Sequence, residues 1–165
     1  MKKLLLITIV FLFAFTANVF GQETADVAVS TTIEGSLTIV KDSDLGFGTV
    51  SSGTTETIAP DAAEAGRVDI SGDVGEDYFI GLPETTTLTG AGDDIAVTQS
   101  YVGDGDSGNQ GTAGALTTGT GGTITTDATT GEFYIWIGGE FTTDQSQANG
   151  GYSGTLTITV SKNSI

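Results

Sequence analysis

The 165-residue chain contains no cysteine and no histidine. Without cysteine, the fold cannot depend on disulfide bonds, and there is no lipobox thiol to carry an acyl anchor. The two absences together exclude serine–histidine triads, thiol nucleophiles and metal sites with nitrogen or sulfur ligands. Carboxylates remain, but most of them lie in glycine-rich turns rather than as a pair fixed across a cleft. We therefore expect no enzyme activity, no catalytic residue and no cofactor.

Positive charge is scarce as well. The chain has five lysine and arginine residues against 21 aspartate and glutamate residues. Beyond the first three residues, the basic side chains are Lys41, Arg67 and Lys162. A surface this acidic repels phosphate backbones and anionic lipids alike. We expect no nucleic-acid partner.

The N-terminus predicts export. Two lysines follow the initial methionine, and the apolar run LLLITIVFLFAF follows them, which is typical of a secretory signal peptide. Val19 and Gly21 place small residues at the cleavage positions before Gln22. We expect a signal peptide over 1–21, one domain over 22–165, no membrane insertion after cleavage, and a secreted or cell-surface location; the alternative is an uncleaved N-terminal anchor.

The remainder predicts an all-β domain. Clusters of glycine, threonine, serine and aspartate recur between short runs rich in β-branched and aromatic residues, and no helical period persists. Residues 103–130 are dominated by glycine and threonine, which predicts a long loop with one weak hairpin. The candidate strands are residues 25–34, 36–41, 45–50, 55–59, 66–71, 77–82, 94–102, 131–139 and 151–161.

The last candidate strand has one apolar face. Leu156, Ile158 and Val160 alternate with threonines, the period of a strand buried on one side. We expect no later strand to pair with it, so its partner must come from elsewhere.

The first candidate strand, 25–34, is the predicted partner. Ala25, Val27, Val29, Thr31 and Ile33 form one face of it. This segment can pair with the last strand of its own domain, or it can add to the sheet of a neighbouring molecule. The residues predicted to carry strand pairing and assembly are Ala25, Val27, Val29, Ile33, Leu156, Ile158 and Val160.

The run FYIWI is apolar on both faces, with Tyr134 and Trp136 opposite Phe133, Ile135 and Ile137. Such a strand is either central and covered, or it presents its second face to a partner. Tyr134 and Trp136 are therefore possible contact residues.

One stretch, GDGDSGNQG, offers oxygen ligands for calcium in Asp104, Asp106 and Asn109. It does not match the twelve-residue calcium loop, because residue 108 is glycine and no glutamate stands at the twelfth position from Asp104. Solvated turns explain these residues better, and we expect no metal site.

Four motifs in order carry a resemblance to a known family. They are SLTIVKDSDLGFGTVSSGT, DISGDVGEDYFIGLP, IWIGGEF and GGYSGTLTITVSKN. In this order they resemble a family of exported bacterial β-domains of unassigned function, which is similar in turn to spore coat protein U domains and chaperone-usher pilin subunits. The resemblance implies an immunoglobulin-like, pilin-like antiparallel β-sandwich. The chain differs from many of these relatives in lacking a cysteine pair.

On this resemblance we expect an exported structural or adhesive protein, a subunit of a pilus-like filament or surface layer assembled by β-strand donation. Its partners would be further copies of itself or related surface subunits. The alternative is a monomeric surface module that uses the 103–130 loop to bind a glycan or to make a calcium-dependent contact.

Overall fold

The computed structural model describes residues 35–105 and 108–162, which form β-strands and one three-residue 3₁₀ helix, Gln110–Thr112. The signal peptide predicted at 1–21 and the first candidate strand lie outside the described residues. Within the described ranges, no helix is long and apolar enough to cross a membrane. The strands are β1 (Thr38–Ser43), β2 (Thr55–Ile58), β3 (Gly66–Ser71), β4 (Asp77–Leu82), β5 (Thr85–Gly90), β6 (Ile95–Asp104), β7 (Gly114–Leu116), β8 (Gly119–Thr125), β9 (Glu132–Thr142), β10 (Tyr152–Ser153) and β11 (Thr159–Ser161).

The strands form two antiparallel sheets of unequal size. The larger sheet has eight strands in the order β1-β3-β9-β6-β5-β10, with β2 paired to β9 and β7 paired to β6. The smaller sheet has three strands in the order β11-β4-β8. The predicted all-β class and the antiparallel sandwich are therefore confirmed.

Strict alternation of side chains places the inner face of the larger sheet. In β6, Ile95, Val97, Gln99 and Tyr101 are buried, whereas the residues between them are exposed. The same period holds in β3, where Val68 and Ile70 face inward. Because side chains in a strand point to opposite faces in turn, these residues all lie on the face toward the smaller sheet.

The apolar residues inside the sandwich form two separate clusters. The first, which we call the main core, joins both sheets, and the second, the side core, lies under one end of the larger sheet. The buried residues of the main core are Val68, Ile70, Tyr78, Ile80, Leu82, Tyr101, Ile124, Phe133, Ile135 and Ile137; those of the side core are Ile95, Val97 and Phe141.

Strand β9 is central and covered on both faces, the first of the two alternatives for the FYIWI run. It pairs with β3 and β2 on one side and with β6 on the other. On its outer face Trp136 is only 4% exposed. The segment after β2 crosses that face closely, since a Cβ at Gly138 would lie 2.6 Å from the Pro60 nitrogen.

The prediction of one continuous strand over 151–161 is wrong. The segment forms two short strands in different sheets, because β10 pairs with β5 whereas β11 pairs with β4. The chain leaves β5 at Gly154, where any side chain would collide with the carbonyl oxygen of Thr87. The predicted alternation is confirmed: Leu156, Ile158 and Val160 are half-buried, and the threonines between them are exposed.

The prediction of a long loop with one weak hairpin over 103–130 is also wrong. Strand β8 lies inside it and supplies one of the three strands of the smaller sheet, paired with β4. Its only buried side chain within the sheet is Ile124, so main-chain hydrogen bonds define this strand more than an apolar pattern does. Strand β5 is not among the candidate strands for a related reason: most of its residues are threonine, so it also lacks an apolar pattern. Conversely, residues 45–50 form no strand.

Replacing Ile135 with alanine should destabilise the domain strongly. This side chain is fully buried, at 0% exposure, in the middle of the main core. The cavity left behind should lower the free energy of unfolding by about 2–5 kcal/mol. Thr98→Ala, on the exposed face of β6, is the control and should change it by less than about 0.5 kcal/mol. Equilibrium urea unfolding of the mature protein measures both, and equal losses would mean that the inner face is wrongly assigned.

Candidate binding cleft

A cleft of about 1060 Å³ opens between the inner face of the larger sheet and the C-terminal segment 147–158. Among the described residues, the three-stranded sheet covers the main core, and the neighbouring part of the larger sheet has no second layer. Apolar and polar groups contribute nearly equally to its walls. The apolar lining residues include Ile39, Phe47, Val97, Ile137, Leu156 and Ile158.

Two strand edges border this cleft. Strand β1 is the last strand of the larger sheet, and β11 is the last strand of the smaller one. Ile39 of β1 lines one wall, and Leu156 and Ile158, which lead into β11, line another. In the part of the chain that the structure describes, each of these two strands has a partner on one side only.

Strand β1 is unusually open for an edge strand. All six of its residues are exposed, including Ile39 at 45% and Val40 at 59%. Edge strands in soluble proteins are normally protected by charge, proline or a covering segment. Here two charged residues lie on the strand, Lys41, whose ammonium is paired with Asp44 at 2.7 Å, and Asp42, where the pairing with β3 is irregular. The remaining edge, Thr38–Val40, is available for further pairing as far as the described residues show.

The backbone between β10 and β11 has no main-chain partner in the part of the chain that the structure describes. Residues 154–158 belong to no strand, and no main-chain hydrogen bond to another described residue holds them. A stretch of exposed N–H and C=O groups next to apolar side chains is what a sheet presents where another strand can be added. Within the described ranges, the cleft thus combines apolar side chains with main chain that has no partner.

Two buried polar residues, Gln99 and Thr143, line the cleft, and Thr143 already has hydrogen-bond partners at Ser51 and Thr54. Gln99 on β6 is 7% exposed and lines the cavity. Its Oε1 accepts no hydrogen bond from the described residues. It lies on the inner face between Val97 of the side core and Tyr101 of the main core.

The chain matches, over residues 19–161, the family described as Domain of unknown function (DUF4402). That match covers most of the sequence. The chain belongs to this family. The expectation of membership in a family of unassigned function is therefore confirmed. Among curated proteins, none matches the chain.

The predicted assembly residues of this DUF4402 domain divide into two groups. Leu156 and Ile158 line the cleft and pack against the main core, and Val160 pairs with Ile80 of β4. The other four, Ala25, Val27, Val29 and Ile33, lie outside the described residues. The structure thus places Leu156 and Ile158 at the cleft and Val160 in β11, and the N-terminal group stays a prediction.

Sequence reasoning missed several cleft residues of the DUF4402 domain. Phe47 and Phe141 stand almost a hundred positions apart in sequence, yet their ring centroids are 4.7 Å apart. No local pattern reveals such a contact. Gln99 did leave a signal, because it is the one amide among the inward positions of the IAVTQSY run.

Tyr134 and Trp136, the possible contact residues, lie on the outer face of β9 and away from the cleft. The guanidinium carbon of Arg67 lies 4.8 Å from the Tyr134 ring centroid and 5.7 Å from that of Trp136. Arg67 is in turn held by Asp69 through two hydrogen bonds of 2.7 and 3.1 Å, and this partner raises the pKa of the guanidinium. Trp136 therefore has little free surface, and the half-buried Tyr134 is the more accessible ring.

Asp104 and Asn109, near the 3₁₀ helix, serve local structure in the DUF4402 domain. The side chain of Asn109 accepts a hydrogen bond from the Gly111 amide, and Asp104 accepts one from the Thr112 hydroxyl, both at 3.0 Å. Asp106 lies outside the described residues. Within the described ranges, no three acidic side chains converge as metal ligands would.

Tyr134 should make stability depend on pH in the alkaline range. Its hydroxyl donates to the Glu132 carboxylate, which raises the pKa of the phenol to about 12 from its ordinary value of 10.0. The unfolded chain loses this proton as the pH passes 10, whereas the folded chain keeps it until about 12. The stability that this hydrogen bond supplies is therefore present below pH 10 and declines between pH 10 and 12.

Tyr134→Phe should make the fall in unfolding free energy over that range shallower. Glu132→Gln, which keeps the phenol and removes the charged acceptor, should move the tyrosinate absorbance transition toward pH 10. An unchanged pH profile in the phenylalanine variant would show that Glu132 does not hold the proton.

Proposed function

We propose that this protein is an exported structural subunit of a surface filament or layer, and that the cleft of one copy receives residues 25–33 of another copy as an added β-strand. The observation that carries the proposal is the cleft with apolar residues along its walls, bordered by the two strand edges, β1 and the segment leading into β11. Strand addition to a sheet edge gains main-chain hydrogen bonds, and alternate side chains enter the pockets beside that edge.

The shape of the cleft favours an extended chain. It runs past residues from β1, β3, β5, β6 and β9 and along the segment 147–158. A nine-residue strand is about 30 Å long, and one added strand would cover both exposed Ile39 and the unpaired main chain of 154–158. A compact ligand would cover less of either edge.

The composition of the N-terminal segment complements the walls. Ala25, Val27, Val29 and Ile33 share the predicted inward face, and the cleft presents aliphatic and aromatic side chains to such a face. Residues 27–33 carry no charge. This stretch can therefore approach a second copy of a strongly acidic protein without the repulsion that its other surfaces would meet.

The sequence motifs support the same function. The order of the early LGFG segment and the closing GGYSGTLTITV segment resembles spore coat protein U and chaperone-usher pilin domains, whose likeness implies assembly through strand addition. The predicted signal peptide would deliver the subunit outside the cytoplasm, which is where such assemblies form.

Two variants should distinguish the subunit that donates its N-terminal strand from the subunit whose cleft accepts it. Val29→Asp would place an unpaired charge on the inward face of the donated segment, and Ile39→Asp would do so at the rim of the cleft. Each alone should weaken assembly at least about 100-fold, because burying an unpaired charge costs several kcal/mol. Mixed together, they should form a one-to-one heterodimer, since the first variant can still accept a strand and the second can still donate one. Light scattering after size-exclusion chromatography measures each species.

The matched controls carry the same new charge on the opposite faces. Ser30→Asp lies on the other side of the N-terminal segment, and Val40→Asp replaces a 59% exposed side chain that points away from the cleft. Both controls should assemble like the unmodified mature protein. A mature protein that stays monomeric at high concentration, or a mixture of the two cleft variants that yields no heterodimer, would contradict strand donation.

A further inference from the structure

The buried amide at the floor of the cleft suggests how the added strand is aligned. We propose that Gln99 sets the register of the donated strand by accepting, at its Oε1, a hydrogen bond from the hydroxyl of Thr31 of the incoming copy. This inference rests on the proposed function and names the residues that make its docking specific.

No described residue around Gln99 donates a hydrogen bond to its Oε1, which can therefore accept one from a partner in the cleft. The residue paired with Gln99 across the ladder is Gly139, which has no side chain to offer. A Cβ there would lie 3.3 Å from Oε1 and only 2.9 Å from Val97 Cγ1. The main-chain N–H of Gln99 is already bonded to the Glu84 carbonyl at 2.8 Å. The side-chain oxygen is thus buried and unpartnered among the described residues, and Gln99 lines the cavity.

The position of Gln99 between the two cores dictates what should lie above it. On one side stands Val97 of the side core, and on the other Tyr101 of the main core. An added strand should present apolar side chains over both cores and a hydrogen-bond donor at the boundary between them.

The predicted donor segment has one residue of that kind on its inward face. Ala25, Val27, Val29 and Ile33 are apolar, and Thr31 alone carries a hydroxyl. With Thr31 over Gln99, Val29 and Ile33 fall on either side of it, one over each core. A slip of two residues would put valine or isoleucine over Gln99 and bury both the amide oxygen and the threonine hydroxyl without partners.

Such a slip should cost about 10- to 100-fold in affinity, because a buried polar group without its partner is expensive. A single polar pair in an otherwise apolar interface also sets register in coiled coils. The Gln99–Thr31 pair would do the same for this strand.

A double-mutant cycle on the defined heterodimer tests the pair. The acceptor is the Val29→Asp subunit with or without Gln99→Leu, and the donor is the Ile39→Asp subunit with or without Thr31→Val. Each single change should weaken the heterodimer about 10- to 100-fold, and the two together should restore its dissociation constant to within a few-fold of the unmodified pair. Thr31→Ser, which keeps the hydroxyl, should bind nearly as well as threonine.

Two further measurements separate the ways in which the inference can fail. Urea unfolding of the Gln99→Leu acceptor should show unchanged or higher stability, because an unsatisfied buried amide has been removed, so weakened binding would not reflect unfolding. If the two changes weaken the heterodimer independently, so that their effects multiply, the proposed register is wrong. The heterodimer still forms in that case, so the proposed function is not contradicted. Absence of the heterodimer in the unmodified pair would overturn both.

Discussion

A three-stranded sheet packed against an eight-stranded one is the constraint on which the rest of this structure depends. The smaller sheet can bury only the main core, so Val97 and Phe141 form a separate cluster at one end of the larger sheet. Compact domains ordinarily have one contiguous core. In the described residues, side chains of both cores line one cleft, and the amide of Gln99 lies at their boundary.

That arrangement explains why stability and assembly can depend on the same surface. The chain has no cysteine, so its folded state depends on packing and on sheet hydrogen bonds. Strand β9, which is covered on both faces, contributes most to that packing. The residues around the cleft contribute least, because Ile39 is exposed and residues 154–158 have no main-chain partners among the described residues. A strand added there would bury apolar surface and complete a second layer.

Sequence reasoning succeeded where side chains alone define a strand. The sequence predicts the bounds of β3 and β4 to the residue, since β3 alternates apolar with polar residues and β4 is a short aromatic and aliphatic run followed by Pro83. It failed at β8, a strand of glycine and threonine that depends on main-chain pairing with β4. It also failed at 151–161, where one continuous pattern crosses between two sheets. The cleft could not be predicted, because it is defined by which part of the larger sheet the smaller one leaves uncovered.

Thiol cross-linking tests the central claim most directly, because the natural chain has no cysteine to interfere. A mature protein carrying both Val29→Cys and Ile39→Cys would be treated with a short thiol-reactive cross-linker and separated on a denaturing gel. Donation between copies predicts a ladder of covalent multimers, which should be lost when the first cysteine is moved to Ser30 on the opposite face. A single monomeric band, whether cross-linked internally or unreacted, would contradict the account.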